Sequence, residues 1–417
     1  MKLKKQARKV LTTCFFINLC IGVLFVWSVF KKALVADWGW SNSAASMPYT
    51  IAIISFSISL LIAGILQDKF GPRRVLISGV FCTSVGLILS GYSSNPLSMI
   101  LSFGVITGSG IGFAYACLSP VAMKWFHPNK RGMVNGVVAA GFGLAAVYLA
   151  PLASFLIDSY SLSACFIVLG IATLLFVFPL AFTVNNPPSH FTSERKTKVS
   201  NVRLVSEKDY TWREMIKTKT FLPIWFMYFC ASSTGLMIIG NITSIAAIQT
   251  DMKSAAYLVV VLAVFNTLGR VIAGMLADKI GGIRTLTISF ILQIINLSLF
   301  KYYSDHPGMI LGAALTGLSY GALPAVFPLI TAGFYGLKNY GTNYGVVYTS
   351  WGISGFMGPI IAGYIVDSTG KFNLAYSFSI SVMIVALVLS FTIKTEKHEP
   401  ISKTSENPLK PIPQQDI

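Results

Sequence analysis

The sequence predicts an all-α membrane protein: twelve transmembrane helices arranged as two pseudo-symmetric six-helix halves. Three observations carry that expectation. The composition is too apolar for a water-soluble domain, twelve apolar runs are each long enough to cross a bilayer, and the second half of the chain repeats motifs of the first. Of 417 residues, 54% are hydrophobic and only 11% are charged, against about 25% charged in a soluble domain. The mean hydropathy is +0.68. Such a chain is neither a soluble enzyme nor a disordered one. The net charge of +17 is spread over too few, too scattered residues to form a nucleic-acid groove. The six cysteines, Cys14, Cys20, Cys82, Cys117, Cys165 and Cys230, all fall in apolar runs without CxxC spacing. They read as small buried residues, neither disulfides nor metal ligands.

A spanning helix needs about 20 apolar residues. In the first half the runs lie at 10–30, 45–66, 75–94, 98–123, 133–157 and 163–184. In the second half they lie at 221–246, 256–277, 285–303, 308–333, 343–366 and 375–393. They are too long and too evenly apolar for barrel strands, which alternate over about 10 residues. The first follows MKLKKQARK like a signal peptide, but it exceeds an h-region and no A-x-A site follows, so it is expected to be retained. These limits give an N-terminal six-helix half over 1–184, a central loop over 185–220, a C-terminal half over 221–394 and a tail over 395–417. The tail, proline-rich and polar, is expected to be disordered.

With the N-terminus inside, 26 Lys and Arg fall on the inner side and five on the outer, with Arg270 inside a span. That asymmetry places both termini, the central loop and the tail in the cytoplasm. It accounts for the net charge as topology, with the lipid surface as the partner and no nucleic acid. The compact loops and the lack of eukaryotic targeting point to a prokaryotic inner membrane.

The repeat is specific. Gly64-Ile-Leu-Gln-Asp68-Lys-Phe-Gly71-Pro-Arg73-Arg74 joins spans two and three. Gly274-Met-Leu-Ala-Asp278-Lys-Ile-Gly281-Gly-Ile-Arg284 joins spans eight and nine, 210 residues later. GFAYACLSP around Tyr115 parallels GLSYGALP around Tyr320, and NGVV at 135–138 parallels YGVV at 344–347. The glycines allow a tight turn and close helix approach. The aspartate can accept hydrogen bonds from a helix N-terminus or from Arg73 and Arg74. One copy could be a plain solvated turn. Two copies at matched positions read as a conformational lock.

With these motifs in view, the chain resembles the major facilitator superfamily over nearly its whole length. WFHPNKRGMVNGVVAAGFG at 125–143, GLMIIG at 235–240 and GRVIAGMLADKIGG at 269–282 are similar to the oxalate/formate antiporter family and the related monocarboxylate (lactate/pyruvate) transporters. The resemblance implies alternating access: two halves rocking around a midplane site.

None of the fifteen acids and four histidines lies mid-span. An acid-relay pump or cation carrier would place one there. No HExxH, Ser/His/Asp set or Walker A motif is present, so an enzyme, a metal site and a cofactor are not expected. Arg270 is the one charge within a span, about two turns from Asp278. A mid-span arginine costs about 2.5–3.5 kcal/mol on insertion scales. With no acid in reach by sequence, its counter-charge is expected to be a ligand carboxylate, which a guanidinium can grip with two bonds. Alternatively it snorkels toward the signature turn. The resemblance supports the first reading, because a matching arginine binds the substrate carboxylate there.

Tyr115 and Tyr320 occupy equivalent places among small residues and read as hydroxyl donors to the ligand, or else as an interfacial aromatic belt. Asn266, four residues before Arg270, either contacts ligand or orients the guanidinium. Monocarboxylate carriers of the mammalian type place an aspartate at a similar position, so the asparagine here leaves the proton acceptor open. Asn18 and Asn241 read as interhelical hydrogen-bond partners. Trp351 stands where the resemblance to the oxalate carrier would place a lysine. It reads as a cavity wall, or simply as core, and Phe25 as a further wall residue. One cation suits a small organic monoanion rather than a dianion. The sequence therefore points to a monomeric secondary transporter of a lactate- or pyruvate-like monocarboxylate, proton-coupled. The alternatives are an oxalate/formate-type exchanger, a drug exporter of the same fold and a non-transporting carboxylate sensor.

Overall fold

The computed structural model describes residues 2–188, 209–250 and 256–393. All regular structure in them is helical. The first half holds α1 (Lys5–Asp37), α2 (Asn42–Phe70), α3 (Pro72–Gly91), α4 (Pro96–Trp125), α5 (Arg131–Ser159) and α6 (Leu162–Ala181). The second holds α7 (Phe221–Thr250), α8 (Ala256–Ile280), α9 (Gly282–Phe300), α10 (His306–Tyr335), α11 (Tyr340–Thr369) and α12 (Asn373–Thr392). Among the described residues, eleven of these are long and apolar enough to span, and the 30-residue α11 completes the set of twelve helices.

Several helices outrun the expected limits. α1 continues to Asp37 through a tight turn at Gly22–Val26, where Gly22 lies so close to Ala145 of α5 that a Cβ would collide with it. The tail 395–417 and most of the central loop lie outside the described residues. The end of that loop forms a short helical turn, Trp212–Met215, capped reciprocally by Thr211 and Glu214. Asp209 accepts hydrogen bonds from the backbone N–H groups of Leu337 and Lys338, which fastens the loop end to the α10–α11 connection.

In hydrocarbon every backbone group needs a partner inside the protein. The in-helix prolines show how the chain meets that demand. Pro120 has no N–H for the carbonyl of Ala116, and Gln67 of α2 donates to that oxygen at 3.1 Å. Pro328 likewise leaves the carbonyl of Pro324 without its helical donor, and Asn135 of α5 donates to it at 3.1 Å and to Ala325 O at 2.7 Å. The second of these joins the two halves.

The halves meet through two crossed pairs. α2 packs on α11, and α8 packs on α5. These pairs are equivalent in the repeat, since α8 repeats α2 and α11 repeats α5.

Candidate functional site

Both signature turns do the same work on opposite halves. Asp68, in the last turn of α2, accepts from Gly341 N at 3.3 Å, and from Thr342 N and Thr342 Oγ1 at 2.9 Å each. Asp278, in the last turn of α8, accepts from Gly132 N at 2.7 Å and Met133 N at 2.8 Å. Apart from the Thr342 hydroxyl, the donors are first-turn N–H groups of α11 and α5, which have no partner within their own helix, and the carboxylate also meets the positive end of the helix dipole. Each aspartate thus caps a helix of the other half. Of the two donor classes expected, the helix N-terminus is the one used. Arg73 instead lies over the Phe182 ring, its Cζ 5.5 Å from the centroid, and Arg74 and Arg284 are exposed.

The glycines make these approaches possible. A Cβ on Gly64 would run into the carbonyl of Gly341, and one on Gly274 into that of Gly132. Gly71 and Gly281 take φ of 85° and 93°, the region that favours glycine, at the same point of the two turns. From this end the contact between halves continues to the middle of the helices. There Gly143 of α5 faces Thr267 and Arg270, and Gly352 of α11 faces Ser57 of α2.

Arg270 lies on this contact, beside Gly143. It is 3% exposed. Its Nε donates to Asn266 Oδ1 at 2.9 Å, and its Nη1 to the carbonyl of Ala139 on α5 at 2.5 Å. The side chain follows the tilt of its Cα–Cβ bond toward the N-terminal end of α8, away from Asp278, so it does not snorkel to the signature turn. A guanidinium has five N–H donors. Two are used here, and no acid pairs with Arg270 among the described residues. Asn266 takes the orienting role, one of the two expected of it. Gly143 leaves the space the guanidinium fills, since a Cβ there would lie 3.3 Å from Cζ.

A cluster of aromatic side chains packs nearby, reaching this contact through Phe142, the neighbour of Gly143 in α5. Tyr115 is 6% and Tyr320 7% exposed, which sets both apart from an interfacial belt. Tyr320 lies on Gly235 of α7, where a Cβ would meet its ring, and its hydroxyl accepts from Trp351 Nε1 at 2.7 Å. Trp351 packs on Tyr348 and Phe56, with centroids at 5.1 and 6.0 Å. Tyr115 packs on Phe142 at 5.1 Å and Phe56 at 5.7 Å. Phe25 is 41% exposed and touches the group through Phe142, at 5.1 Å. Tyr115, Tyr320, Asn266, Arg270 and Trp351 are thus brought together, with Phe25 at the edge.

Three of these neighbours were not expected from sequence: Tyr348, Phe56 and Phe142. Tyr340, Tyr344 and Tyr348 recur every four residues in α11, a helical stripe that could have flagged the last of them. Asn18 is the interhelical partner expected, donating to Val138 O at 2.8 Å. Asn241 is not. It donates to Met237 O in its own helix at 2.8 Å, using the second lone pair of a carbonyl one turn back. A small apolar cleft of about 90 Å³ also opens between α7, α11 and α12, beside Phe229, Ser233, Met357 and Phe378. No charged residue lines it. No cluster suited to a metal occurs among the described residues.

The fold and the sequence have clear relatives. The chain is 24% identical over 387 residues to the oxalate:formate antiporter of Oxalobacter formigenes, covering 92% of this chain and 90% of that one. It is 26% identical over 362 residues to human monocarboxylate transporter 2, covering 81% and 75%. Its structure superposes on the transporter FucP in the outward conformation with a TM-score of 0.71, at 14% identity, covering 92% and 97% of the two chains. The family model of the Major Facilitator Superfamily matches residues 11–295 and 224–415. This chain, an integral membrane protein of twelve helices in two related halves, belongs to the Major Facilitator Superfamily.

Proposed function

We propose that the protein is a secondary transporter of a small monocarboxylate, lactate- or pyruvate-like, working by alternating access with Arg270 as the carboxylate clamp. The observation that carries this reading is the buried guanidinium with three N–H donors left over and no acidic partner among the described residues. Binding a monoanion satisfies those donors and cancels the charge, so the halves close more readily over a loaded site than over an empty one. Tyr115 and Tyr320 add hydroxyl donors, Asn266 fixes the guanidinium, and Trp351 and Phe25 shape the apolar walls. A single cation among aromatic rings matches one carboxylate attached to a small apolar body.

The aspartate caps on α5 and α11 form only while the halves meet at the signature-turn end. They act as the lock of one state, released when the halves rock. In the orientation given by the basic residues that end is cytoplasmic, as are both termini, and the protein works as a monomer in a prokaryotic inner membrane. Transport is proton-coupled, with the proton travelling on the substrate or through solvent, since no acid among the described residues lies beside the site.

The name of one relative, an oxalate:formate antiporter matched over 92% of this chain, favours a second reading, anion exchange. The two separate in liposomes loaded with unlabelled carboxylate. Symport responds to a pH gradient without counter-substrate. Exchange needs counter-substrate and ignores the gradient. Equal uptake at pH 5.5 and 7.5 with no gradient dependence would remove the symport proposal.

A further inference from the structure

The indole N–H of Trp351 is already spent, and that determines what Tyr320 can do. Indole Nε1 is a donor only, whereas a phenol can both donate and accept. At 2.7 Å the Tyr320 oxygen accepts from Trp351, so the phenolic proton must point elsewhere. No described residue accepts it. Gly321, the next residue, packs against the backbone of Asn266 and Arg270, which brings α10 against α8 at the level of Arg270.

We propose that Trp351 is a positioning residue that commits Tyr320 to donating a hydrogen bond to a neutral acceptor on the substrate, beside the carboxylate held by Arg270. This deepens, and rests on, the monocarboxylate reading above. It narrows the substrate class to acids carrying an oxygen acceptor next to the carboxylate, such as 2-oxo acids, over plain short-chain acids. The second oxygen is recognised by a neutral donor held in place by another side chain, so no second cation is required. Trp351 itself makes no hydrogen bond to the ligand.

A double-variant cycle tests this in proteoliposomes. Pyruvate and acetate compete for uptake by wild type, Trp351→Phe, Tyr320→Phe and the double variant. One neutral hydrogen bond contributes about 0.5–1.5 kcal/mol net, so the preference for pyruvate over acetate should fall about fivefold in each single variant. It should fall no further in the double variant, because Trp351 acts only through the Tyr320 hydroxyl. Additive losses, or a Trp351→Phe carrier with undiminished preference, would overturn the proposal. A parallel pair guards against a folding defect: Trp351→Gln keeps an N–H donor and should retain more of the preference than Trp351→Met, and equal losses in that pair also count against it. A wild-type protein that carries neither acid refutes the monocarboxylate reading itself, a result distinct from an additive cycle in an active carrier.

Discussion

Replacing Asp278 with asparagine should open the signature-turn end of the protein. The carboxylate accepts from Gly132 N at 2.7 Å and Met133 N at 2.8 Å, and it sits half-buried at the positive end of α5. Hydrogen bonds to a charged group contribute about 1.5–3 kcal/mol each, and the dipole term adds about 0.3–1 kcal/mol. Partial exposure reduces both. Asparagine keeps one oxygen acceptor, so one of the two bonds survives in weakened form. The net loss is about 1.5 kcal/mol, which shifts the balance between closed and open about tenfold. The change is readable by pulsed electron spin distances in a cysteine-free protein, with labels at Lys130→Cys and Lys338→Cys. Those positions are exposed, on opposite halves, at the signature-turn end. Asp278→Asn should move the distance distribution outward, and Asp68→Asn should do the same through α11. Unchanged distributions in both variants would show that these caps hold nothing closed.

Two further outcomes follow from the same geometry. Asn135→Leu removes the donor to the carbonyls of Pro324 and Ala325. It should destabilise the protein by about 1–3 kcal/mol, seen as a lower midpoint in detergent unfolding. Asn266→Ala frees the Arg270 guanidinium from its 2.9 Å anchor. Substrate KM should rise about tenfold with little change in thermal midpoint, measured by initial uptake rates alongside a melting scan.

Much of this architecture is legible in the sequence because bilayer physics leaves few options. The apolar runs fix the helix count, and the repeat of Gly64–Arg74 as Gly274–Arg284 fixes the halves. Arg270 stands out because an unpaired charge in a span needs a reason. What is not legible is which partner across the halves each group finds. Asp68 and Asp278 are visible as acceptors, yet apart from the Thr342 hydroxyl their donors are backbone N–H groups of α11 and α5, which no residue type singles out. The Ala139 carbonyl that holds Arg270 is hidden for the same reason. Phe56 and Phe142 are two of 29 phenylalanines in helices that are apolar nearly all round, so neither periodicity nor composition sets them apart. Pro120 and Pro328 did carry a readable signal. Each predicts an orphaned carbonyl four residues earlier, and Gln67 and Asn135 are in-span amides able to answer it.

The most direct measurement of the central claim is uptake of radiolabelled L-lactate into proteoliposomes under an inward proton gradient, with wild type and Arg270→Gln, each with and without excess oxalate. Removing a buried, hydrogen-bonded charge partner typically costs about 2–5 kcal/mol. The account predicts saturable wild-type uptake that oxalate does not inhibit, and a loss of about 100-fold or more in kcat/KM for Arg270→Gln. An Arg270→Gln carrier that moves lactate at the wild-type rate would contradict the clamp. Oxalate counterflow by wild type, with no lactate uptake, would contradict the one-cation reading of the site.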